Sequence, residues 1–299
     1  MATRQAIEKA VQDGAQRAQQ FYLRSQQPTT YAGPFQGYLL AEGDSWFDYP
    51  LYADVVESLE NDYGYKVKSV AHHGDTVTSM AYDPSQLRRL NELFRDMKDA
   101  NRTPRAIILS GGGNDVVDAL AVILNHRGSG LSAINASVEA GVLHEQIPHA
   151  LGHLIGAVQS LSQQHFGEVR PILIHGYAPP VPDGRGYPFL GLGLSGPWIK
   201  PAFAQRGWVT QEPQSDTELL ANAQAVAGLI NTFNRQVLPT VVAAAGPGVS
   251  YVDVRSVLRS DLPSYRQDWR DEMHATSTGF QAVAARFDAA IRTAAPTIP

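Results

Sequence analysis

The sequence predicts an α/β protein, a three-layer α/β/α sandwich around a mainly parallel sheet of five strands. Short apolar runs alternate along the chain with longer amphipathic segments, and this alternation is typical of parallel strands joined by crossover helices. Polar motifs rich in Gly, Ser, Asn and Asp follow directly after the first three predicted strands. In a parallel sheet these positions meet at the carboxyl edge, where ligands bind.

Five apolar runs predict the strands, and six amphipathic segments predict the helices that cover them. The strands are predicted at residues 37–42, 66–71, 105–110, 170–175 and 249–254. The covering helices are predicted at residues 51–63, 84–100, 116–125, 136–165, 215–245 and 276–294, with a break or kink near Pro148. A further helix is predicted at residues 4–24, ahead of the chain breakers Pro28 and Gly33-Pro34.

We expect residues 1–36 to form an N-terminal helical extension and residues 37–299 to form one domain. Residues 178–214 interrupt the alternation with an apolar Gly/Pro-rich insertion that carries Tyr187, Trp198 and Trp208. A loop of this length in a compact domain is usually functional or disordered, and its aromatic content disfavours disorder. Three roles stay open for the insertion: packing against the domain or a second subunit, forming a wall of a substrate pocket, or acting as a lid at a lipid surface.

Composition and charge exclude several classes of protein. The 299 residues carry a net charge of −5 without a cluster of Lys and Arg, which disfavours nucleic acid as a partner. The chain has no cysteine, so disulfides and thiolate metal sites are excluded. No run reaches the ~20 apolar residues that span a membrane, and the first residues lack the apolar core of a signal peptide. We expect a cytoplasmic protein, or one secreted by a route without a classical signal peptide.

Three motifs, in chain order, carry the parts of a serine esterase. They are Gly43-Asp44-Ser45, Gly111-Gly112-Gly113-Asn114-Asp115 and Asp271-Glu272-Met273-His274. A serine hydroxyl becomes nucleophilic when a neighbouring base accepts its proton, and an Asp three residues before a His can orient the imidazole. The glycine run also resembles a phosphate-binding loop, but neither the dinucleotide glycine spacing nor a Gly-Lys-Ser/Thr motif follows it.

Together with His73-Gly74-Asp75-Thr76, these motifs make the chain similar to the SGNH (GDSL-type) hydrolases over residues ~37–290. The resemblance implies a flavodoxin-like fold and carboxylic-ester hydrolysis through an acyl-enzyme intermediate. It implies Ser45 as the nucleophile, His274 as the general base and Asp271 as the partner of His274. The oxyanion hole would consist of the Ser45 N–H, the Gly74 N–H and the Asn114 side chain. No metal or organic cofactor is expected.

The sequence departs from the family pattern beside the nucleophile, where Trp46 replaces a Leu, and beside the oxyanion glycine, where His73 stands. We expect Trp46, His73 and, from the insertion, Trp198 to contact the substrate. Asp44 and Asp115 are expected to be structural and to bind backbone amides in their turns. The aromatic insertion favours short- to medium-chain acyl esters. A carbohydrate O-acetylesterase, a lysophospholipase or thioesterase, and a non-catalytic acyl-ligand binding protein stay open as alternatives.

Two histidines and the N-terminal helix suggest further possibilities. His149 and His153 stand at the i, i+4 spacing of zinc ligands, but the sequence offers neither the glutamate of a zinc-protease helix nor an evident third ligand. Ordinary histidines on a helix face are therefore favoured. The N-terminal helix or the insertion is also compatible with formation of a homo-oligomer.

Overall fold

The computed structural model describes residues 31–50, 52–189 and 192–298. The helix predicted at residues 4–24 lies outside the described residues, and the boundary at residue 36 stays a prediction. The strands are Tyr38–Glu42 (β1), Lys66–Ser69 (β2), Pro104–Leu109 (β3), Ile172–His175 (β4), Tyr187–Phe189 (β5), Leu192–Ser195 (β6) and Val249–Val252 (β7). The five strands predicted from the apolar runs are β1 to β4 and β7, and all five are confirmed.

These five strands form one parallel sheet in the order β2-β1-β3-β4-β7. From β1 the chain moves to β2 on one side and then crosses to β3 on the other, so the topological switch point lies between β1 and β3. Leu40 in β1 pairs with Ile107 in the central β3, where both are buried, and with Lys68 in the exposed edge strand β2. The central strands are covered on both faces and are therefore almost wholly apolar.

Helices cover both faces of this sheet. They are Val55–Tyr63 (α1), Val77–Tyr82 (α2), Pro84–Asp99 (α3), Gly113–Ile123 (α4), Ala136–Ala140 (α5), Ile147–Phe166 (α6), Lys200–Gln205 (α7), Asp216–Thr232 (α8), Leu238–Ala245 (α9) and Ser277–Ala294 (α10). Helix α1 packs against α10 on one face, whereas α6 packs against α2, α3 and α9 on the other. The predicted three-layer α/β/α sandwich is therefore confirmed.

Two long helices predicted from the sequence each contain a π-helical turn, at Gly141–Gln146 and at Phe233–Val237. In both cases a proline, Pro148 or Pro239, is the second residue after the turn. Proline lacks the N–H of a helical hydrogen bond, and its ring clashes with the carbonyl four residues earlier. A π turn shifts the hydrogen-bond pattern by one residue and lets the chain continue in the same direction. The disturbance predicted near Pro148 thus takes the form of a π turn.

The described residues of the insertion, 178–189 and 192–214, pack against the domain. The insertion contains the antiparallel hairpin β5–β6 and the short helix α7, and it buries Val181, Tyr187, Ile199 and Phe203. The segment is therefore part of the hydrophobic core and brings its own side chains to the carboxyl edge of the sheet. None of the helices in the described ranges has the length and the apolar composition that are needed to cross a membrane.

Candidate active site

The turn after β1 is fixed by the buried carboxylate of Asp44. Its oxygens accept hydrogen bonds from the Trp46 N–H at 3.0 Å, the Ser110 hydroxyl at 2.7 Å and the Tyr177 hydroxyl at 2.5 Å. Gly43 allows this close approach to β3, because a Cβ atom there would lie 2.6 Å from the Cβ of Ser110. The structural role expected for Asp44 agrees with these contacts. Ser45 is held at the carboxyl edge of the sheet as a result.

Ser45, His274 and Asp271 form one hydrogen-bonded line. The Nε2 atom of His274 lies 2.8 Å from the Ser45 hydroxyl oxygen, and its Nδ1 atom lies 2.9 and 3.0 Å from the two oxygens of Asp271. All three side chains are buried. The structure therefore brings together the three residues that the sequence predicted as nucleophile, base and partner of the base.

Asp271 is held as an anion by its surroundings. Burial by itself raises the pKa of this carboxyl, but the charge and hydrogen bond of His274 and the hydrogen bonds from Met273 and Tyr49 bring the pKa below its usual value. The Tyr49 hydroxyl donates to Asp271 at 2.8 Å, and its ring stacks on the imidazole of His274 at 4.3 Å between centroids. An ionised Asp271 keeps the imidazole proton on Nδ1 and leaves Nε2 free to accept the Ser45 proton.

The three donors predicted for the oxyanion hole each keep a hydrogen atom that has no acceptor among the described residues. Within the described ranges, the N–H groups of Ser45 and Gly74 make no hydrogen bond. Gly74 has a φ of +83°, a conformation that suits glycine, and in the described part of the chain no heavy atom beyond its sequence neighbours lies within 4 Å of where its Cβ would be. The Asn114 amide donates to the Asp75 carbonyl at 2.8 Å and keeps its second hydrogen.

Asp115 connects the two loops that carry these donors. Its carboxylate accepts the N–H groups of Val77 at 2.8 Å and Thr78 at 3.2 Å, together with the Thr78 hydroxyl at 2.9 Å. Burial raises the pKa of Asp115, and these hydrogen bonds oppose that shift. The first turn of α2 and the first turn of α4 are thereby joined, and the loop of Gly74 is held beside Asn114.

A small, mostly apolar pocket opens beside Ser45. It has room for more than one water-sized molecule. Asn114 and Ser45 supply polar atoms at its edge. Its apolar wall consists of Trp46, Val117, Tyr177, Ala178, Pro180, Ile199, Ile230, Trp269 and Met273. Ala178, Pro180 and Ile199 belong to the insertion, which therefore contributes one side of the pocket.

The three residues predicted to contact substrate lie in different places. Trp46 lines the pocket, and its indole N–H donates to the Met273 carbonyl at 3.1 Å. Trp198 lies edge-on to the imidazole of His274, with 5.4 Å between centroids. His73 lies against Asp48, with 3.1 Å from its Nδ1 atom to a carboxylate oxygen, and does not line this pocket. Its contact with substrate stays a prediction.

His149 and His153 lie on α6, where His153 contacts the ring of Tyr82 at 5.0 Å between centroids. Over residues 31–50, 52–189 and 192–298, no group of three or more His, Cys, Asp or Glu side chains is placed to hold a metal ion.

The structure adds His175 to the residues around the nucleophile. Its Nε2 atom lies 2.7 Å from the Ser110 hydroxyl that binds Asp44, and its ring stacks on Trp46 with 5.2 Å between centroids. Complete burial lowers the pKa of His175 to about 4. A signal for this residue existed in the sequence, because His175 ends a predicted strand at the same edge of the sheet as the serine.

The sequence matches the family model of the GDSL-like lipases and acylhydrolases over residues 39–287. The chain belongs to this family. The predicted resemblance is thus confirmed, and the GDSL family makes the protein a hydrolase of the esterase or lipase type that takes a small-molecule ester. A search of curated proteins gives no match.

Solved structures with similar folds include a GDSL-like lipase of Bacteroides thetaiotaomicron, which is 13% identical with a TM-score of 0.42 and covers 93% of this chain and 97% of its own. A carbohydrate acetylesterase family member of Sinorhizobium meliloti is 15% identical with a TM-score of 0.45, and the match covers 88% of this chain and 100% of that one. An alpha/beta hydrolase enzyme from the metagenome of Lake Arreo is 16% identical with a TM-score of 0.42, and the match covers 88% of this chain and 98% of that one.

We predict that His175 stays neutral to an unusually low pH. Its imidazole nitrogens should titrate in NMR spectra with a midpoint near pH 4, whereas an unperturbed histidine titrates near pH 6.5. Because the folded pKa lies below the unfolded value, the unfolded chain binds this proton first. Stability is therefore lost as the pH falls from about 6.5 through about 4, by up to about 3 kcal/mol.

The control is His175→Phe, which keeps an aromatic ring beside Trp46 but cannot titrate. Urea unfolding should show the wild type losing stability relative to this variant over that pH interval. A His175 midpoint near pH 6.5, or a stability difference that does not change with pH, would contradict the prediction.

Proposed function

We propose that this GDSL hydrolase cleaves carboxylic esters through an acyl-enzyme intermediate, with Ser45, His274 and Asp271 as its catalytic triad. The observation that carries the proposal is the 2.8 Å contact between the Ser45 hydroxyl and His274 Nε2, with Asp271 on the far side of the same imidazole. A binding protein without turnover has no use for this alignment, because its only chemical effect is to move a proton away from the hydroxyl. The alignment therefore favours catalysis over the binding alternative.

In the proposed first step, the Ser45 oxygen attacks the ester carbonyl while His274 Nε2 accepts the hydroxyl proton. The new C–O bond makes a tetrahedral intermediate, whose collapse breaks the bond to the alcohol. His274 returns its proton to that leaving oxygen. Water then attacks the acyl-enzyme with the same base, and the second collapse releases the acid and restores Ser45.

The proposed cycle assigns a partner to each charge that develops in it. The N–H groups of Ser45 and Gly74 and the second amide hydrogen of Asn114 are available for the oxyanion. One donor of this kind is typically worth about 2.7–4 kcal/mol of barrier. The ionised Asp271 stabilises the imidazolium that forms at His274 during each proton transfer.

The pocket beside Ser45 supports short acyl groups as the preferred substrates within the expected short- to medium-chain range. Its wall is apolar, which suits a hydrocarbon chain, and the pocket is small, which suits a short one. A lysophospholipase or a long-chain thioesterase would need more room. A sugar O-acetylesterase would place its acetyl group in the same pocket, so the alcohol half of the substrate separates this alternative.

We predict that Ser45→Ala abolishes turnover of p-nitrophenyl esters. The variant keeps the oxyanion donors but has no nucleophile, so kcat/KM should fall by at least about 10⁴-fold. Ser256→Ala, at an exposed serine, is the matched control and should behave like the wild type. If Ser45→Ala retained activity within tenfold of the wild type, the assignment of the nucleophile would be wrong.

We also predict that acetyl and butyryl esters react faster than octanoyl and palmitoyl esters, because the longer chains exceed the pocket. Ile230→Ala shortens a side chain of the wall and so enlarges the pocket. It should raise the octanoyl-to-acetyl ratio of kcat/KM by about tenfold. Leu220→Ala is the control, since Leu220 lies on the same helix but is 47% exposed. Faster hydrolysis of palmitoyl than of butyryl esters would contradict the short-chain preference, and faster deacetylation of xylan than of a butyryl ester would favour the carbohydrate alternative.

A further inference from the structure

Glu272 lies between Asp271 and His274 in the chain, yet its side chain turns away from both and is completely buried. One carboxylate oxygen accepts the backbone N–H groups of Gly184 at 2.8 Å and Lys200 at 3.1 Å. The other oxygen accepts those of Trp198 and Ile199, both at 2.8 Å. All four donors belong to the insertion.

Four donors saturate a carboxylate, which has about four lone-pair sites and no proton to donate when it is ionised. Burial raises the pKa of Glu272, and the four N–H groups oppose that shift. The neighbouring ammonium group of Lys200 is engaged elsewhere, in an ion pair with Glu212 at 2.8 Å. The buried carboxylate therefore depends on the backbone of the insertion for its solvation, and the insertion depends on the carboxylate for its position.

The peptide that Glu272 holds carries two side chains of the proposed active site. Ile199 lines the pocket, and Trp198 lies against the imidazole of His274. Arg185 makes a second connection between the insertion and this turn. Its carbonyl accepts a hydrogen bond from the Glu272 N–H, and its guanidinium donates one to the carbonyl of Trp269 at 2.9 Å. Trp269 is also part of the pocket wall.

We propose that Glu272 is a positioning residue that sets the acyl-length specificity of the enzyme. By binding the N–H groups of residues 198–200, it fixes Ile199 as the wall that limits the acyl chain and holds Trp198 beside the base. The wall and the Asp271–His274 pair are then both held by one turn, so their separation is constant. This inference rests on the proposed ester hydrolysis.

The test uses Glu272→Gln, which keeps the size of the side chain but replaces one acceptor oxygen by an NH₂ group. That group faces two N–H donors, so two of the four hydrogen bonds are lost. Glu212→Gln is the matched control, because it removes a carboxylate that is 65% exposed and paired with the same Lys200. Ile199→Ala is a third variant, which removes the wall but leaves the N–H group that binds Glu272.

Hydrogen exchange measured by mass spectrometry reports on the backbone N–H groups that bind Glu272, and it needs no substrate. In Glu272→Gln, the amide pair that faces the new NH₂ group, either Trp198 with Ile199 or Gly184 with Lys200, should exchange at least about tenfold faster than in the wild type. Glu212→Gln should leave their exchange unchanged. If these amides exchange at the wild-type rate in Glu272→Gln, the anchoring role is wrong.

Ester kinetics, with active sites counted by burst titration, report the specificity. The octanoyl-to-acetyl ratio of kcat/KM should rise about tenfold in both Glu272→Gln and Ile199→Ala. If Glu272 had only a structural role, kcat/KM would fall by the same factor for all esters. An unchanged ratio would therefore overturn the inference. If Glu272→Gln does not fold, Ile199→Ala still tests the wall, and an unchanged ratio in that variant would overturn the inference as well. A wild type inert on every ester would instead refute the proposed function, and with it the specificity role, whatever the exchange result.

Discussion

The carboxylate of Asp44 is the interaction on which the proposed active site depends. It binds donors from three segments that end at the same edge of the sheet: the turn after β1, the residue after β3 and the residues after β4. Without these hydrogen bonds the turn would move, and the distance between the Ser45 hydroxyl and the proposed base would vary. Because the three hydrogen bonds are buried, they compete with little water and keep Ser45 in register with Asn114 and His274.

The adjacent carboxylates of Asp271 and Glu272 have different roles because they bind different partners. Asp271 meets the imidazole of His274 and the hydroxyl of Tyr49, which favour its ionised form. Glu272 accepts four backbone N–H groups, all of them from the insertion. One turn therefore orients the imidazole of His274, the proposed base, and also attaches the segment that bounds the pocket. On our proposal, this couples the chemistry of the enzyme to the acyl length of its substrate through two neighbouring residues.

Much of this arrangement follows from local sequence, and the remainder depends on contacts between distant segments. Apolar runs predicted the ends of the strands to within about two residues, and the Asp-x-x-His spacing predicted the contact of Asp271 with His274 because both lie on one turn. Helices α2 and α7 were not predicted, since six residues are too few for a periodic pattern. The partners of Tyr49 and Tyr177 lie 222 and 133 residues away in the chain. No local pattern indicates such contacts, and the same holds for the amides that bind Glu272.

The most direct test of the proposed active site is mass spectrometry of the protein after reaction with a fluorophosphonate, which phosphonylates an activated serine with loss of fluoride. We predict one adduct, on Ser45, and a reaction slowed by at least about 10³-fold in His274→Ala, because the hydroxyl then has no base. An adduct on a different residue, or an equal rate in the variant, would contradict the assignment of Ser45 as the nucleophile and His274 as its base.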